Sequence, residues 1–515
     1  MLQSLWASYL IVFLSSACTL VLEIVAGRIL APFIGVSLYT WTSIIGIVLA
    51  GISLGNYLGG RLADKAGSRQ TLGILLFGAG LTSLAILPLV SIPNLTGIVP
   101  KDAPVIGSFM GRIVILTTML FFIPSLIMGM VSPVVVKLAL TDLSHSGNVV
   151  GKIYAFSTLG SIFGTFITGF VLISSFGTRA IVLGVGIVLI VMAFFAGRLW
   201  RTPKIVVALA IPLALLSWTI NTGTALSSGC TKETDYYCIK VYDEAPQGDD
   251  HVMRVLVLDH LIHSYNSIED PTYIKYGYIK VYTEFIEYVA QTKPDFSILY
   301  VGGGAYTLPR YIEAKYPQAH QEVIEIDPGV TEINYTYMGV SRDTKIVTHN
   351  LDGRQMVDTM VGQGRKFDIV IGDAFNDLSI PYHLTTREFD EKIRTLVNDD
   401  GFYLTLVIDK LRGGLFIPSY TRTLQLVFPN VYMTADGLLF ESSAPNTYVV
   451  AGSATPLDIQ RFNAGRGLGP GGRVTTAIMP STDLAEYLRT AGGVYLTDDY
   501  VPADNLIAPI FAERY

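Results

Sequence analysis

Apolar and polar positions divide the chain into two parts that meet near residue 222. The first part is a series of apolar runs of about 20 residues, the length that a helix needs to cross a bilayer. Seven spans are predicted, near residues 6–27, 39–60, 72–94, 113–138, 150–174, 178–198 and 205–222. Small residues such as Gly51, Gly55 and Gly59 recur in them and allow membrane helices to approach closely. The pattern predicts an N-terminal all-α polytopic membrane domain over residues 1–222.

The second part alternates between strand and helix patterns. Apolar and polar residues alternate over 235–262, which predicts a small antiparallel sheet in a subdomain spanning 223–270. The region 271–515 is predicted to be a doubly wound α/β domain with a parallel sheet, whose ligand binds at the carboxyl ends of the strands. Its strands are predicted near 297–302, 321–326, 345–349, 367–373, 401–408, 430–434 and 446–451. Its helices are predicted near 272–291, 307–316, 329–338, 353–361 and 385–397.

Charged residues are scarce in the first part and common in the second. The whole chain is 50% hydrophobic and 15% charged, with a formal net charge of −6. Residues 1–222 hold 12 of the 36 basic residues and 4 of the 42 acidic residues, so the first part carries +8 and the second −14. A nucleic-acid-binding domain usually has a basic surface, so we expect no nucleic-acid partner.

The basic residues of the first part predict its orientation in a lipid bilayer. The densest basic loop is 61–69, and Arg198, Arg201 and Lys204 follow four spans later, on the same side. Because basic loops stay in the cytoplasm, the chain is predicted to be a multi-pass protein of the cell (inner) membrane with its N-terminus inside. Seven spans then place the second part outside the cytoplasm. If the run 205–222 does not cross, the second part is cytoplasmic instead, and this alternative remains open.

Cysteine usage bears on the same question. The chain has three cysteines: Cys18 in the first span, and Cys230 and Cys238 after the last. The latter two form either a disulfide, as in an oxidising compartment, or two unpaired thiols; the sequence favours neither. No further Cys or clustered His follows them, so no metal site is predicted.

Three consecutive predicted strands end in residues that suit a nucleoside. The first strand ends in the glycine turn Gly302, Gly303 and Gly304, where a ligand can approach the backbone. The second ends in Glu325 and Asp327, and an acid about 20 residues after the turn suits a ribose diol. The missing third spaced glycine favours a mononucleoside over a dinucleotide.

The third and fourth strands add further acids. The third strand ends in Asp352 and Gly353, where the carboxylate can accept from an adenine amino group. Asp373 ends the fourth strand and can act as a base toward an amine or hold a cation by its charge, unless it is only a helix cap. Another acidic pair, Asp498 and Asp499 in the tail, either faces the same pocket or is solvated, and the second is expected.

The glycine turn 302–304, Glu325, Asp352 and Asp373, after a small β domain, resemble the spermidine synthases over about 232–455. With the apolar spans, the chain is similar to the membrane-fused members of that family, whose first half resembles a major-facilitator transporter. That second likeness rests on segment 59–69. The resemblance implies a Rossmann-like methyltransferase/spermidine-synthase fold and a homodimer.

The resemblance also implies an activity. The enzyme would be an aminopropyltransferase that uses decarboxylated S-adenosylmethionine, acts on putrescine, spermidine or spermine, and releases 5′-methylthioadenosine. Glu325 would bind the ribose, Asp352 the adenine, and Asp373 would deprotonate the attacking amine. Together with Asp373, the residues expected to contact the polyamine are His263, Tyr273, Asn376 and Asp377.

The chain departs from the family pattern on the amine side. Ala305 follows the glycine triplet where the family has Asp, and Lys275 follows Tyr273 and Ile274 where the family has Tyr-His-Glu. These departures leave two alternatives open. One is a polyamine transporter whose synthase-like domain senses its ligand without catalysis, and the other is an S-adenosylmethionine-dependent methyltransferase.

One ionisable residue lies inside a predicted span. Glu23 is the only one of the four acids of residues 1–222 that lies within an apolar run. An ionisable group in a membrane core is expected to have a function, so Glu23 is a candidate to bind a polyamine cation. A structural ion pair with Arg28 or with an Arg of another helix is the alternative.

Overall fold

The computed structural model describes residues 5–92, 95, 108–140, 146–222, 226, 228–245, 251–375, 381–437, 440, 444–464 and 476–514. The chain forms two compact units, Met1–Cys238 and Ile239–Tyr515. The domain boundaries at residues 222 and 270 remain a prediction.

Among its described residues, the first unit contains seven helices that are long and apolar enough to cross a membrane, judged by length and composition. Short π-helical stretches interrupt the fourth and fifth, at Thr118–Phe122 and Thr168–Leu172. Ser37 and Ser68 begin the second and third by accepting from the backbone amides of Thr40 and Thr71. The helices are α1 Leu5–Ile34, α2 Leu38–Ala66, α3 Arg69–Leu89, α4 Phe109–Ala139, α5 Ser146–Ser175, α6 Thr178–Gly197 and α7 Pro203–Thr222.

One end of this helical unit carries the segment 228–238. A disulfide joins Cys230 to Cys238, which decides between the two alternatives that the sequence left open. Glu233 accepts from the backbone amide of Thr178 at 2.7 Å, at the start of α6. Arg28, near the end of α1, donates to the backbone carbonyl of Asp235 at 2.9 Å. The disulfide segment, with β1 (Lys232–Glu233), therefore packs where α1 ends and α6 begins.

The opposite end of the unit collects other polar contacts. Lys137, near the end of α4, pairs with Asp64 of α2 at 3.1 Å. Gln70, at the start of α3, donates to Thr202 between α6 and α7 at 2.9 Å. The basic residues of segment 61–69 and of the α6–α7 connection thus lie at one end of the helices, away from the disulfide.

The second unit begins with a small antiparallel sheet, as the sequence predicts. Its strands β2 Cys238–Glu244, β3 Met253–Leu258 and β4 Leu261–Ser267 pair in chain order. An Asp270 turn follows, in which the Asp270 carboxylate accepts from the Thr272 amide at 2.8 Å. The turn ends at Thr272 and residues 273–276 have no regular secondary structure, so the helix predicted over 272–291 begins only at Gly277.

An eight-stranded sheet forms the body of the second unit, in the order β12-β10-β11-β9-β8-β5-β6-β7. The five strands from β9 to β7 are parallel, which confirms the predicted α/β class. The last strands, β10 to β12, are antiparallel additions. The strands are β5 Ser297–Val301, β6 His320–Ile324, β7 Val347–His349, β8 Phe367–Gly372, β9 Val397–Asp409, β10 Asn430–Asp436, β11 Asn446–Ser453 and β12 Thr476–Ile478.

Helices cover this sheet and build its core. The first of them places Phe285 against Phe402 of β9, with ring centroids 5.4 Å apart, and Ile369 and Ile371 of β8 belong to the same buried cluster. Because β5, β6, β7 and β8 are parallel neighbours, their carboxyl ends meet at one edge of the sheet. The helices are α8 Gly277–Ala290, α9 Thr307–Lys315, α10 Pro328–Thr336, α11 Gly353–Gly362, α12 Arg387–Leu396, α13 Phe416–Gln425, α14 Ile459–Ala464, α15 Ser481–Thr490 and α16 Ala503–Arg514.

Candidate active site

The glycine turn after β5 joins three strand ends. Gly302 donates to the carbonyl of Ile324 and Asp373 donates to the carbonyl of Val301, both at 2.9 Å. Gly302 has a φ of 105°, and a Cβ there would lie 2.3 Å from the Asp373 carbonyl oxygen. Only glycine tolerates both conditions, so this position brings Asp373 close to the turn.

Glu325 lies directly behind the turn. Its carboxylate accepts from the amides of Gly303 and Asp327, each at 3.0 Å, and the residue is 6% exposed. Burial raises the pKa of Glu325 to about 7, although the amide hydrogen bonds act in the opposite direction. The amide of Gly304 also donates to this carboxylate. A carboxylate has about four acceptor sites, so a remaining lone pair can accept a ribose hydroxyl. Asp327, in contrast, caps α10 by accepting from the Gly329 amide at 2.7 Å.

Asp352 is held by its own helix. One carboxylate oxygen accepts from the amides of Arg354 and Gln355, at 3.0 and 3.1 Å, and so caps α11, whose first residue is Gly353. The other oxygen lies 3.1 Å from Nε2 of His383. Asp352 therefore has a structural role whether or not it also contacts a ligand.

The tail acid Asp498 is not simply solvated, contrary to the sequence-based expectation. It pairs with both terminal nitrogens of Arg354 and accepts from the Thr386 hydroxyl at 2.7 Å. The carboxylate thereby ties residues after β12 to the start of α11 and the start of α12. The sequence showed an acidic cluster but not its partner, which is 144 residues away.

Asp373 follows β8 and lies beside α8. The residue is partly buried, and burial raises the pKa of its carboxyl to about 7. Among the described residues it makes no ion pair. Burial raises the pKa values of Tyr278 and Tyr282, and the negative charge of Asp373 raises them further. A carboxyl group that is half-ionised near neutral pH is suited to exchange a proton with a ligand.

The other residues expected on the amine side have different surroundings. His263 is near Asp373: its ring meets the backbone carbonyls of Leu261, at 3.0 Å, and of Phe375. Burial lowers the pKa of His263. Tyr273 stacks on His251, with ring centroids 4.2 Å apart, just before β3. Asn376 and Asp377 lie outside the described residues.

Two polar residues of β4 hold the glycine turn and were missed from the sequence. Ser264 accepts from the Ala305 amide at 3.3 Å. Asn266 donates to the Ala305 carbonyl at 2.8 Å and accepts from Thr307 at 2.6 Å. Asn266 is 1% exposed, and a polar side chain at an apolar position of the strand was the available signal. The small sheet therefore positions the site.

A row of tyrosines leads away from Asp373 and was also missed. Tyr278 packs against Tyr282 at 5.7 Å and against Tyr276 at 5.4 Å, and Tyr276 packs against Tyr265 at 5.1 Å, all between ring centroids. The Tyr282 hydroxyl is buried and has no hydrogen-bond partner among the residues that the structure describes. Tyr278 and Tyr282 are four residues apart on one helix face, which was the signal in the sequence.

Glu23 lies partly buried in α1. Among the described residues no ion pair includes Glu23. Arg28, its predicted alternative partner, donates instead to backbone carbonyls of residues 234–235. Within the part of the chain that the structure describes, no group of three or more His, Cys, Asp or Glu side chains is arranged to hold a metal ion.

The region around this site matches a known family. Residues 279–435 match the model for the spermine/spermidine synthase domain. A polyamine aminopropyltransferase of Vibrio vulnificus (strain CMCP6) is 36% identical over 142 residues, which cover 27% of this chain and 46% of that protein. The human eEF1A lysine and N-terminal methyltransferase is 27% identical over 147 residues, covering 27% of this chain and 21% of that protein. The chain thus spans less than half the length of either relative.

A solved structure is also similar to part of the chain. It is a probable spermidine synthase from Corynebacterium glutamicum ATCC 13032, with a TM-score of 0.43 and 20% identity, covering 50% of this chain and 93% of that one. The family match itself covers the strands and turns that carry Gly302, Glu325, Asp352 and Asp373. Residues 279–435 of this chain are therefore similar to a spermine/spermidine synthase domain, as the sequence resemblance predicts.

Proposed function

We propose that the second unit is an aminopropyltransferase that moves an aminopropyl group from decarboxylated S-adenosylmethionine to an amine of a polyamine. The amine nitrogen attacks the propyl carbon bonded to the sulfonium. The carbon–sulfur bond breaks, its electron pair stays on sulfur, and 5′-methylthioadenosine leaves. The nitrogen gains a bond and loses a proton, which the Asp373 carboxylate takes. The observation that carries this proposal is the placement of Asp373 against the glycine turn that also contacts Glu325.

The donor half of the proposed site is built from the turn and Glu325. The carboxylate of Glu325 would accept a ribose hydroxyl with its remaining lone pair. Gly303 keeps the backbone open beside it, because a Cβ at this position would lie 3.0 Å from the Glu325 oxygen. Asp352 and His383 would face the adenine, with the carboxylate oxygen at His383 as the acceptor for the amino group.

The acceptor half is built from Asp373 and aromatic rings. Tyr278 lies beside Asp373 and is partly exposed. Aromatic faces attract alkylammonium groups, and a nearby carboxylate adds to this attraction. Asp373 would therefore orient the attacking amine as well as accept its proton.

The decisive experiment measures release of 5′-methylthioadenosine by the full chain in detergent or nanodiscs. Decarboxylated S-adenosylmethionine is supplied with putrescine, spermidine or spermine. We expect release with at least one amine and a loss of about a hundredfold or more in kcat in Asp373→Asn, because a general base contributes at least this factor. Asp399→Asn is the matched control, since Asp399 is 89% exposed. Absence of release with all three amines, or full activity in Asp373→Asn, would contradict the proposal.

A second candidate is methyl transfer from S-adenosylmethionine on the same fold. The observation that favours it is the similarity to the human methyltransferase. The two candidates differ in the donor, so calorimetry with the carboxylated and decarboxylated forms separates them. Tighter binding of the decarboxylated donor supports aminopropyl transfer, and tighter binding of the carboxylated donor supports methyl transfer.

For the first unit we propose a transporter-like domain that spans the cell membrane and moves polyamines. Support comes from the seven apolar helices and from Glu23, a carboxylate within an apolar helix. The proposed orientation has the basic end in the cytoplasm and the disulfide segment 228–238 outside, where an oxidising environment keeps the bond formed.

Polyamine flux into liposomes should then fall in Glu23→Gln. A sensing role for the synthase domain would combine such flux with absence of methylthioadenosine release. The homodimer remains a prediction.

A further inference from the structure

The ammonium group of Lys275, on the second unit, contacts a carboxylate and an aromatic ring. Its Nζ is 3.1 Å from a carboxylate oxygen of Glu244 and 4.0 Å from the centroid of the Tyr265 ring. The side chains of Lys275 and Glu244 are 31% and 26% exposed, respectively. One carboxylate and one aromatic face thus contact a single primary ammonium group.

This arrangement is the general chemistry for binding a primary alkylammonium ion. The carboxylate supplies charge and a hydrogen-bond acceptor, and the ring face supplies a cation–π contact. The end of a lysine side chain, a methylene bearing an ammonium, is chemically the same as the end of a linear polyamine. Lys275 therefore resembles a ligand that is already bound at Glu244 and Tyr265.

A row of tyrosine rings leads from Lys275 toward the region of Asp373. Tyr265 packs against Tyr276, and Tyr276 packs against Tyr278, whose hydroxyl is within range of the Asp373 charge. Tyr242 of β2 lies on the same face of the small sheet, because it and Tyr265 of β4 are both cross-strand partners of Val255. A chain of methylenes can lie along these rings with one amine at Asp373 and a second amine farther along the row.

We propose that Glu244 and Tyr265 form a distal ammonium site for the acceptor and that Lys275, by occupying this site, restricts the enzyme to short acceptors. The proposal rests on the aminopropyltransferase function proposed above. A short diamine needs only Asp373 and the nearest rings. A longer polyamine must displace the Lys275 ammonium, which costs the ion pair and the cation–π contact.

The experiment compares amine binding to the full chain and to Lys275→Ala by calorimetry, with 5′-methylthioadenosine present. We expect Lys275→Ala to bind spermidine and spermine about tenfold more tightly, because a hydrogen bond to a charged group is worth at least this factor. Affinity for putrescine should not change. Lys275→Arg keeps the cation and should behave as the native chain. Equal shifts for short and long amines, no shift, or no amine binding to either protein would overturn the proposal.

Two further variants separate specificity from structure. Lys315→Ala is the matched control, because Lys315 pairs with Glu287 at 3.4 Å beside Tyr311 and Tyr316 but lies at the far end of α9. It should leave the ratio of spermine to putrescine affinity unchanged. Adding Glu244→Gln to Lys275→Ala should abolish the gain, and a gain that persists would contradict the assignment of Glu244.

Failure of this proposal can be distinguished from failure of the proposed function. Methylthioadenosine release is measured on the same samples with each amine. Absence of release contradicts aminopropyl transfer, whereas the calorimetric ratio depends on binding alone. Release with unchanged amine preference in Lys275→Ala contradicts only the role of Lys275.

Discussion

Two carboxyl groups at the strand ends, the buried Glu325 and the partly buried Asp373, have raised pKa values. Burial raises both pKa values to about 7, above the ordinary range of acidic side chains. Backbone amides donate hydrogen bonds to the Glu325 carboxylate and partly offset the cost of burying its charge. The Asp373 charge acts instead on the hydroxyls of two tyrosines. The two acids therefore suit different tasks, ligand binding for Glu325 and proton transfer for Asp373.

The pH dependence of turnover follows from Asp373. A base must be ionised to accept a proton, so kcat should rise with pH up to about 7 and level off above it. Below that value it should fall about tenfold per pH unit, as the ionised fraction does. Glu325 titrates in the same range, so kcat should be measured at saturating donor from pH 5.5 to 8.5. A kcat that is constant over this range would contradict Asp373 as the base.

The glycine turn makes a separate prediction. In Gly303→Ala, the new Cβ would lie 2.7 Å from the Tyr306 ring and 3.0 Å from the Glu325 oxygen. The turn must shift and weaken the amide–carboxylate hydrogen bond, so we expect binding of 5′-methylthioadenosine to weaken about tenfold or more. Gly362→Ala is the matched control, because a Cβ there meets nothing within 4 Å. Equal calorimetric affinity in the two variants would show that the turn does not contact the nucleoside.

At the scale of elements, a buried acid joins two helices and a strand. Asp390 of α12 is 0% exposed and accepts from the Tyr420 hydroxyl of α13 at 3.1 Å. Tyr420 in turn lies 3.3 Å from the Tyr403 hydroxyl of β9. Burial raises the pKa of Asp390 strongly, the charges of Glu388 and Glu391 add to the effect, and the Tyr420 hydrogen bond opposes it. The protein therefore favours the neutral acid at this junction.

This junction predicts how stability changes with pH. Because the folded pKa of Asp390 is raised, its contribution to stability is complete below the unfolded value of about 3.9 and is lost as pH rises. Asp390→Asn is neutral at all pH values and keeps an acceptor for Tyr420. Its melting temperature should fall less than that of the native chain between pH 5 and pH 8. Asp483→Asn, at an exposed position, should follow the native chain, and an equal fall in all three would contradict the neutral acid.

At the scale of the whole molecule, the two parts of the chain have opposite charge. The net −6 combines +8 in residues 1–222 with −14 in residues 223–515. Within the first unit, the basic connections and the disulfide segment lie at opposite ends. This separation supports the proposed orientation, because basic loops stay in the cytoplasm and disulfides form in oxidising compartments.

Sidedness can be measured on intact cells with a membrane-impermeant maleimide. If the orientation is correct, Asp399→Cys, at an exposed site of the second unit, is labelled in intact cells. Arg201→Cys, at the basic end of the first unit, is labelled only after permeabilisation. The opposite pattern would place the second unit in the cytoplasm. Alkylation with and without reductant reports separately whether Cys230 and Cys238 are joined in the cell.

Much of the fold and half of the site could be predicted because they depend on local pattern. The length of the apolar runs, the alternation of strands and helices, and the residues that end each strand are all properties of short segments. The α/β class and the positions of Gly302, Glu325, Asp352 and Asp373 follow from them. The start of α8 was predicted too early, since the Asp270 turn and the irregular residues 273–276 come before it.

What only the tertiary structure decided are the contacts between residues far apart in the chain. Lys275 with Glu244, Asp390 with Tyr420, and Ser264 with the glycine turn lie 31, 30 and 41 residues apart. No local periodicity encodes such pairs, because they form only when the sheets and helices pack. The sequence by itself determined the two-part architecture and the acids at the strand ends, because hydrophobic period and strand termini are local properties. Packing determined which of those acids are buried, and burial sets their pKa values.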